Sequence, residues 1–178
     1  MDARGLLAVA EAVCDDAERM FLDGVGSDPA AMKSPGDFAT EVDLAIEAYL
    51  RQTLTQFTGI PVLGEEAGGR YNHEAVWVVD PVDGTANYAA GNPMCAILIS
   101  LLVEDRPVVA ITSMPLLGRR LTAYEGGPVR LNGQPITPLT EADQLVAQVG
   151  FSTVASQVRS RFPSLLRQGL LAELSATY

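Results

Sequence analysis

The sequence predicts an α+β fold in which two long N-terminal helices pack on an antiparallel β-sheet. Apolar residues recur at helical spacing over residues 6–21 and again over residues 40–57. Runs of apolar and β-branched residues separated by turn signals follow over residues 95–131, as expected for strands joined by hairpins. Serial strands of this kind favour antiparallel pairing. In an α+β fold, we expect the two helices to form a layer on one side of that sheet.

Length and composition indicate a single globular domain. The chain has 178 residues, of which 48% are hydrophobic and 19% are charged, which is enough for one proper core. The formal net charge of -10 argues against nucleic acid or an anionic membrane as a partner, because both attract basic surfaces. A phosphate ester is still compatible with this charge, since bound metal ions would reverse the local field.

Three features predict a cytoplasmic location. Cys14 and Cys95 lie far apart in apolar patterns, which is typical of reduced core residues and not of a disulfide framework. The N-terminus carries acidic residues early and lacks the basic and apolar regions of a signal peptide. The longest apolar run, residues 94–103, is too short to span a bilayer.

Each long helix has recognisable ends. Gly24 is a natural stop for the first helix, and residues 25–38 then predict a loop because they lack periodicity and contain Gly, Ser, Asp and Pro. Thr40 is a suitable N-cap for the second helix, and Asp43 lies in its first turn near the positive end of the dipole. On these residues alone, the structural role is the favoured one for Asp43. The predicted apolar side of this helix comprises Val42, Ile46, Tyr49, Leu50 and Phe57.

A pair of glutamates follows the short apolar segment at residues 60–63. Adjacent side chains on a strand point in opposite directions, so at most one of Glu65 and Glu66 is expected to bind a metal directly while the other supports it. A solvated acidic turn is the alternative. Beyond the pair, strands are predicted at residues 95–103, 107–114, 119–124, 129–131 and 145–151, with a type I′ turn at Asn132-Gly133 and a final helix at residues 156–176.

The centre of the chain is a predicted strand at residues 77–79, Trp-Val-Val. This composition is typical of a strand that is covered on both faces. Pro81 has no N–H and is expected to end the strand. Pro81 also biases Asp80 toward an extended conformation, so the Asp80 carboxylate is expected to project from the strand end.

A turn signal, Asp83-Gly84, follows directly, and Thr85 is a plausible N-cap for a short helix ending near Gly91. Two aspartates therefore share one corner with backbone N–H groups behind them. Hard cations such as Mg²⁺ prefer oxygen ligands, and the start of a helix attracts anions. The pattern indicates phosphate chemistry, with an acidic surface turn as the alternative.

Three segments resemble signatures of the inositol monophosphatase family, whose members are Mg²⁺-dependent, lithium-sensitive phosphatases. Residues 80–85, Asp-Pro-Val-Asp-Gly-Thr, resemble its central motif, residues 64–66 its paired glutamates, and residues 33–43 its mobile loop and second helix. They occur in family order. The resemblance implies that residues 1–178 form the N-terminal α+β half of the sugar-phosphatase αβαβα sandwich.

The resemblance also implies site roles. Two or three Mg²⁺ ions would be held in the complete enzyme by Glu65, Asp80, the carbonyl of Val82, and Asp83. The implied catalytic residues are Asp43 and Thr85, which orient and activate a water, Glu66, which supports Glu65, and Lys33 in the mobile loop. The implied substrate contacts are Gly84, Thr85 and Asp83.

The implied activity is hydrolysis of inositol 1-phosphate, a small phosphate monoester, by a homodimer. Within the superfamily, 3′-phosphoadenosine phosphate, histidinol phosphate and fructose 1,6-bisphosphate are alternative substrates. An alternative of another class is an inactive binding or dimerisation module. The family pattern continues into a second α/β half whose Trp-Asp segment completes the second metal site, and nothing here matches it. We therefore expect the C-terminal domain to be missing, the second metal to bind poorly, and an apolar face to be exposed.

Overall fold

The computed structural model describes residues 2–34 and 37–137. The first of its helices, α1, spans Ala3–Asp23, and the second, α2, spans Glu41–Thr58. Between them, strands β1 (Pro29–Ser34) and β2 (Asp37–Thr40) pair as an antiparallel hairpin. A short helix, α3, comprises Thr85–Ala89.

A seven-stranded sheet follows chain order from edge to edge. Its first pair, β3 with β4, is parallel, and every later pair is antiparallel. The sheet therefore confirms the predicted α+β class and departs from a purely antiparallel arrangement at one edge. The strands are β3 (Val62–Gly64), β4 (Ala75–Asp83), β5 (Ala96–Val103), β6 (Arg106–Met114), β7 (Arg119–Tyr124), β8 (Arg130–Leu131) and β9 (Gln134–Pro135).

The core lies between the two long helices and one face of this sheet. Alternate residues of each central strand point toward the helices, because side chains alternate across a strand. Trp77 is fully buried on β4, and its indole N–H donates to the hydroxyl of Thr58 at 3.1 Å. Cys14 and Cys95 are buried and not bonded to each other, in agreement with the prediction. Other core side chains are Leu7, Val13, Phe21, Ile46, Leu50, Leu54, Ile97, Ile99, Leu101 and Ile111.

Helix α2 begins as predicted and differs in its apolar side. Thr40 is the N-cap, and it forms a capping box with Asp43. Phe57 was predicted to face the core but is 66% exposed, while Leu54 is fully buried. Leu54 lies four residues after Leu50 and so continues the buried stripe, whereas Phe57 lies in the last turn of the helix, next to its C-cap Gly59.

The predicted loop at residues 25–38 is partly wrong, because it contains the β1–β2 hairpin. The register of this hairpin shifts twice, between Pro29 and Ala31 and between Met32 and Ser34. Such irregularities remove the alternation of period two that reveals a strand in a sequence.

Two boundaries near the central motif also differ from the prediction. Strand β4 continues through Pro81 to Asp83 and does not end at the proline. Its pairing with β5 is irregular between Asp80 and Asp83, and a proline is tolerated at such a bulge, where its missing N–H costs no regular ladder bond. Gly84, not Thr85, is the N-cap of α3, and Thr85 is its first helical residue.

Helix α3 is tied to the end of α1 by one aromatic residue. The buried hydroxyl of Tyr88 donates to the carbonyl oxygen of Phe21 at 2.6 Å, and the two rings lie 4.5 Å apart. This contact holds the turn that precedes α3 against the helical layer.

The strand predicted at residues 145–151 and the helix predicted at residues 156–176 lie outside the described residues. Within the described part of the chain, none of the helices combines the length and the apolar content required to cross a bilayer.

The packing of the core predicts that two leucines of α2 contribute very differently to the free energy of unfolding. Leu50 is fully buried and Leu44 is 43% exposed. We expect Leu50→Ala to lower the free energy of unfolding by about 2–5 kcal/mol through lost burial and a residual cavity. The matched Leu44→Ala change should alter it by about 0.5 kcal/mol or less. Urea unfolding followed by Trp77 fluorescence measures both, and equal effects would contradict this account of the core.

Candidate functional site

The parallel pairing of β3 with β4 brings the paired glutamates beside the central motif. The aligned residues end at Gly64 opposite Val79. One residue further on, the N–H of Glu65 donates to the carbonyl oxygen of Val79 at 3.1 Å. Glu65 therefore lies next to Asp80, close enough for the two carboxyl groups to share a hydrogen bond when one of them is protonated.

Asp80 stands in an acidic environment. Burial, the charge of Glu65 together with its hydrogen bond, and the charge of Asp83 raise the pKa of Asp80 to about 7. The N–H of Val82 donates to the Asp80 carboxylate at 3.1 Å and opposes this rise only in part. The predicted carboxylates are thus close enough to repel one another electrostatically.

The two predicted metal ligands that follow Asp80 differ in their exposure to solvent. Asp83 is exposed, whereas the side chain of Val82 is buried. Gly84 has φ +84°, and a Cβ there would lie 3.0 Å from the carbonyl oxygen of Met94, so glycine suits this position sterically and conformationally. Helix α3 has five residues, so a phosphate here would depend on individual amides more than on a helix dipole.

Asp43 caps the start of α2 and also contacts Thr85. Its carboxylate accepts from the backbone N–H of Thr40 at 3.0 Å and from the Thr40 hydroxyl. The Thr85 hydroxyl oxygen lies 3.2 Å from the other oxygen of Asp43 and 3.1 Å from the Val82 carbonyl oxygen. Because that hydroxyl has one proton, it donates to one of these two acceptors at a time. The structure thus brings Asp43, Thr85 and Val82 together.

The two other predicted catalytic residues are Glu66 and Lys33. Glu66 follows Glu65, and its backbone N–H is held by a carboxylate of α2. Lys33 lies in β1, but its side chain is outside the described part of the chain.

The carboxylate that holds Glu66 belongs to Glu47, which sequence reasoning missed. Glu47 is 1% exposed and accepts from the backbone N–H groups of Glu66 at 2.6 Å and of Ala67 at 3.0 Å. Arg51 donates to it at 2.8 Å. A signal was present in the sequence, since Glu47 lies four residues after Asp43, between the core positions Ile46 and Leu50.

The donor set fits a hard divalent cation. The groups that converge on Asp80 are carboxylates, and Mg²⁺ prefers oxygen ligands. Their mutual repulsion, expressed in the raised pKa, would be relieved by bound positive charge. Over residues 2–34 and 37–137, no group of three Asp, Glu, His or Cys side chains is arranged to hold a metal ion. Mg²⁺ usually binds one or two carboxylates and keeps several waters, so it does not require three such ligands.

Comparison with known proteins places this fold among solved phosphatase structures. The structure resembles an IMPase from Thermotoga maritima with a TM-score of 0.71 at 20% identity, over 84% of this chain and 61% of that one. At this identity the likeness concerns the fold alone, and it defines the class as the inositol monophosphatase fold.

The family follows from the sequence comparison. The profile of the inositol monophosphatase family matches residues 3–177, and the chain belongs to that family. It is 46% identical over 171 residues to a protein named probable inositol 1-monophosphatase ImpA from Mycobacterium tuberculosis, covering 96% of this chain and 63% of that protein. It is also 38% identical to a histidinol-phosphatase of the same organism, covering 67% of this chain and 48% of that protein. The chain thus spans less than two thirds of the length of these relatives.

The raised pKa of Asp80 predicts a pH-dependent effect of Asp80→Asn in the metal-free protein. The folded state keeps a proton that the unfolded chain releases above the ordinary pKa of 3.8. The stability contributed by this group is therefore present at low pH and is lost as pH rises toward about 7. In EDTA, we expect Asp80→Asn to stabilise the fold relative to wild type at pH 8, by a margin that shrinks toward pH 5.

The control is Asp105→Asn, because the pKa of Asp105 is lowered by hydrogen bonds from Tyr71 and His73. That change should have a small effect of the opposite sign at neutral pH. Thermal unfolding from pH 5 to pH 8 measures both variants. A margin for Asp80→Asn that stays constant or grows toward pH 5 would contradict the electrostatic account.

Proposed function

We propose that the whole protein is a Mg²⁺-dependent phosphatase that hydrolyses a small phosphate monoester, with inositol 1-phosphate as its substrate. The observations that support this most are the placement of Asp80 against Glu65, with the charge of Asp83 also acting on it, and the contact between Asp43 and Thr85. Family membership and the similarity to the protein named ImpA support the choice of inositol phosphate.

In this proposal, Glu65, Asp80 and the Val82 carbonyl would hold one Mg²⁺, and Asp80 and Asp83 would hold a second. Bound Mg²⁺ supplies Lewis-acid activation of a water and neutralises charge on the transferring phosphoryl group. Glu66 supports the position of Glu65.

The other residues act on the water and the phosphate. The Thr85 hydroxyl and the Asp43 carboxylate, with their oxygens 3.2 Å apart, orient the attacking water and accept its proton. The backbone N–H groups of Gly84 and Thr85 donate to phosphate oxygens. Lys33 contacts the phosphate when its segment closes over the site. No covalent intermediate on the protein is required.

The substrate has a second candidate, because the chain also resembles a protein named histidinol-phosphatase. The two buried cysteines, which form no disulfide, are compatible with a cytoplasmic location. A homodimer and the assignment of residues 1–178 as an N-terminal α+β domain stay predictions from the family resemblance.

Phosphate release from a substrate panel tests the proposal. At fixed Mg²⁺, we expect inositol 1-phosphate to be hydrolysed with a higher kcat/KM than histidinol phosphate, 3′-phosphoadenosine phosphate and fructose 1,6-bisphosphate. Activity confined to one of the other three would overturn the inositol assignment. No release from any substrate at any Mg²⁺ level, by a folded dimer, would instead favour a binding module.

A variant pair tests the acidic site itself. Asp80→Asn should lower kcat by about 10²-fold or more, by analogy with the loss of one charge-stabilising group at other active sites. Asp105→Asn is the matched control, because Asp105 follows β5 at Val103, whereas Asp83 pairs with Ala96 at the other end of that strand. Asp105 also has φ +62°, which asparagine tolerates. Equal activities of the two variants would remove Asp80 from the mechanism.

A further inference from the structure

Helix α2 carries three charged residues that are spaced to reach the two acidic turns. Asp43, Glu47 and Arg51 follow one another at intervals of four residues, so they lie in a row along one side of the helix. Asp43 contacts Thr85, the first residue of α3, directly after the turn that follows β4. Glu47 contacts Glu66, in the turn after β3.

Both carboxylate oxygens of Glu47 accept hydrogen bonds, which leave its side chain little conformational freedom. One oxygen accepts from the N–H of Ala67 and from Arg51, and the other accepts from the N–H of Glu66. At 1% exposure, a carboxylate is costly unless it is hydrogen-bonded and paired. The folded state therefore favours one position of these amides over others.

Arg51 completes the attachment of the turn. Besides Glu47, it donates to the carbonyl oxygens of Val62 and Gly68, each at 2.6 Å. The N–H of Gly64 also donates to the Gly68 carbonyl oxygen at 2.9 Å. The two ends of the turn are therefore held together through the guanidinium group, and Glu65 lies between them.

Gly64 has a steric requirement that arises from the same carboxylate. A Cβ at this position would lie 2.1 Å from the carboxyl carbon of Glu47 and 2.2 and 2.4 Å from its two oxygens. Any side chain here would displace Glu47 from the amides that it binds. The glycine that precedes the paired glutamates is thus explained by the close approach of Glu47.

We propose that Glu47, oriented by Arg51, is a positioning residue that sets the location of Glu65 relative to Asp80 and thereby the affinity of this site for a divalent cation. The inference rests on the proposed function, because it assumes that Glu65 and Asp80 share a cation. Glu47 acts through the backbone of residues 64–67 and does not itself bind the ion. Mutation of a group that orients a metal ligand typically lowers metal affinity or activity by 10- to 100-fold.

The test is Mn²⁺ binding to the full chain by calorimetry, with Mn²⁺ as a probe of a hard-cation site. Glu47→Gln keeps the size of the side chain but replaces one acceptor oxygen with an N–H₂ group that cannot accept from an amide. We expect its Kd for Mn²⁺ to rise about tenfold or more. Glu41→Gln is the matched control, because Glu41 is exposed on the same helix, and its Kd should stay at the wild-type value.

A second variant displaces Glu47 without altering its chemistry. Gly64→Ala forces the carboxylate away from the Glu66 and Ala67 amides, so it should raise the Kd by a similar factor. The double variant should be no weaker than the weaker single variant, because both changes remove the same contact. Hydrogen exchange of the peptide spanning residues 64–70 should increase in all three variants and stay unchanged in helix α1.

The outcomes distinguish the positioning role of Glu47 from the existence of the metal site. Faster exchange of residues 64–70 with an unchanged Mn²⁺ Kd, measured well below each variant's Tm, would make Glu47 purely structural and overturn the inference. An additive loss in the double variant would overturn it as well. Wild-type protein that binds no Mn²⁺ would overturn the metal site itself, and the positioning role with it.

Discussion

The parallel pairing of β3 with β4 is the constraint on which the acidic site depends. It is the one parallel pair in the described sheet, and it aligns two segments that leave the sheet at the same end. Glu65 follows β3 where Asp80 follows the aligned part of β4. In an antiparallel pair, continuing past Gly64 would carry the chain away from Asp80. The direction of a single edge strand therefore decides whether these two carboxylates can meet.

Bringing acids together in a partly buried place has an electrostatic cost, and the raised pKa of Asp80 is its direct expression. Asp43 and Glu47 are also buried, but each is surrounded by hydrogen-bond donors. Asp80 differs from them because the charges that act on it are those of other acids, Glu65 and Asp83. The carboxylates on α2 hold loops in place, whereas this concentration of negative charge suits an external cation.

Both helices contribute to the site through ordinary packing. Phe21 and Tyr88 join the end of α1 to α3, so the turn containing Gly84 is backed by the core. Helix α2 packs on the sheet through Ile46, Leu50 and Leu54, and the same helix presents Asp43, Glu47 and Arg51 to the turns. A rigid helix with a buried stripe can therefore hold two loops in register with each other.

Local patterns in the sequence determined the helices, the β5–β6 and β6–β7 strand pairs, the cap at Thr40, and the identity of the acidic residues. These features follow from periodicity, capping chemistry and turn residues within short windows. Only the tertiary structure decided that β3 is parallel to β4, that β4 passes through Pro81, and that Glu47 occupies the space left by Gly64. Each of these depends on contacts between residues 13 or more positions apart in the chain, where the free energy of packing and of burying a charge outweighs local preference.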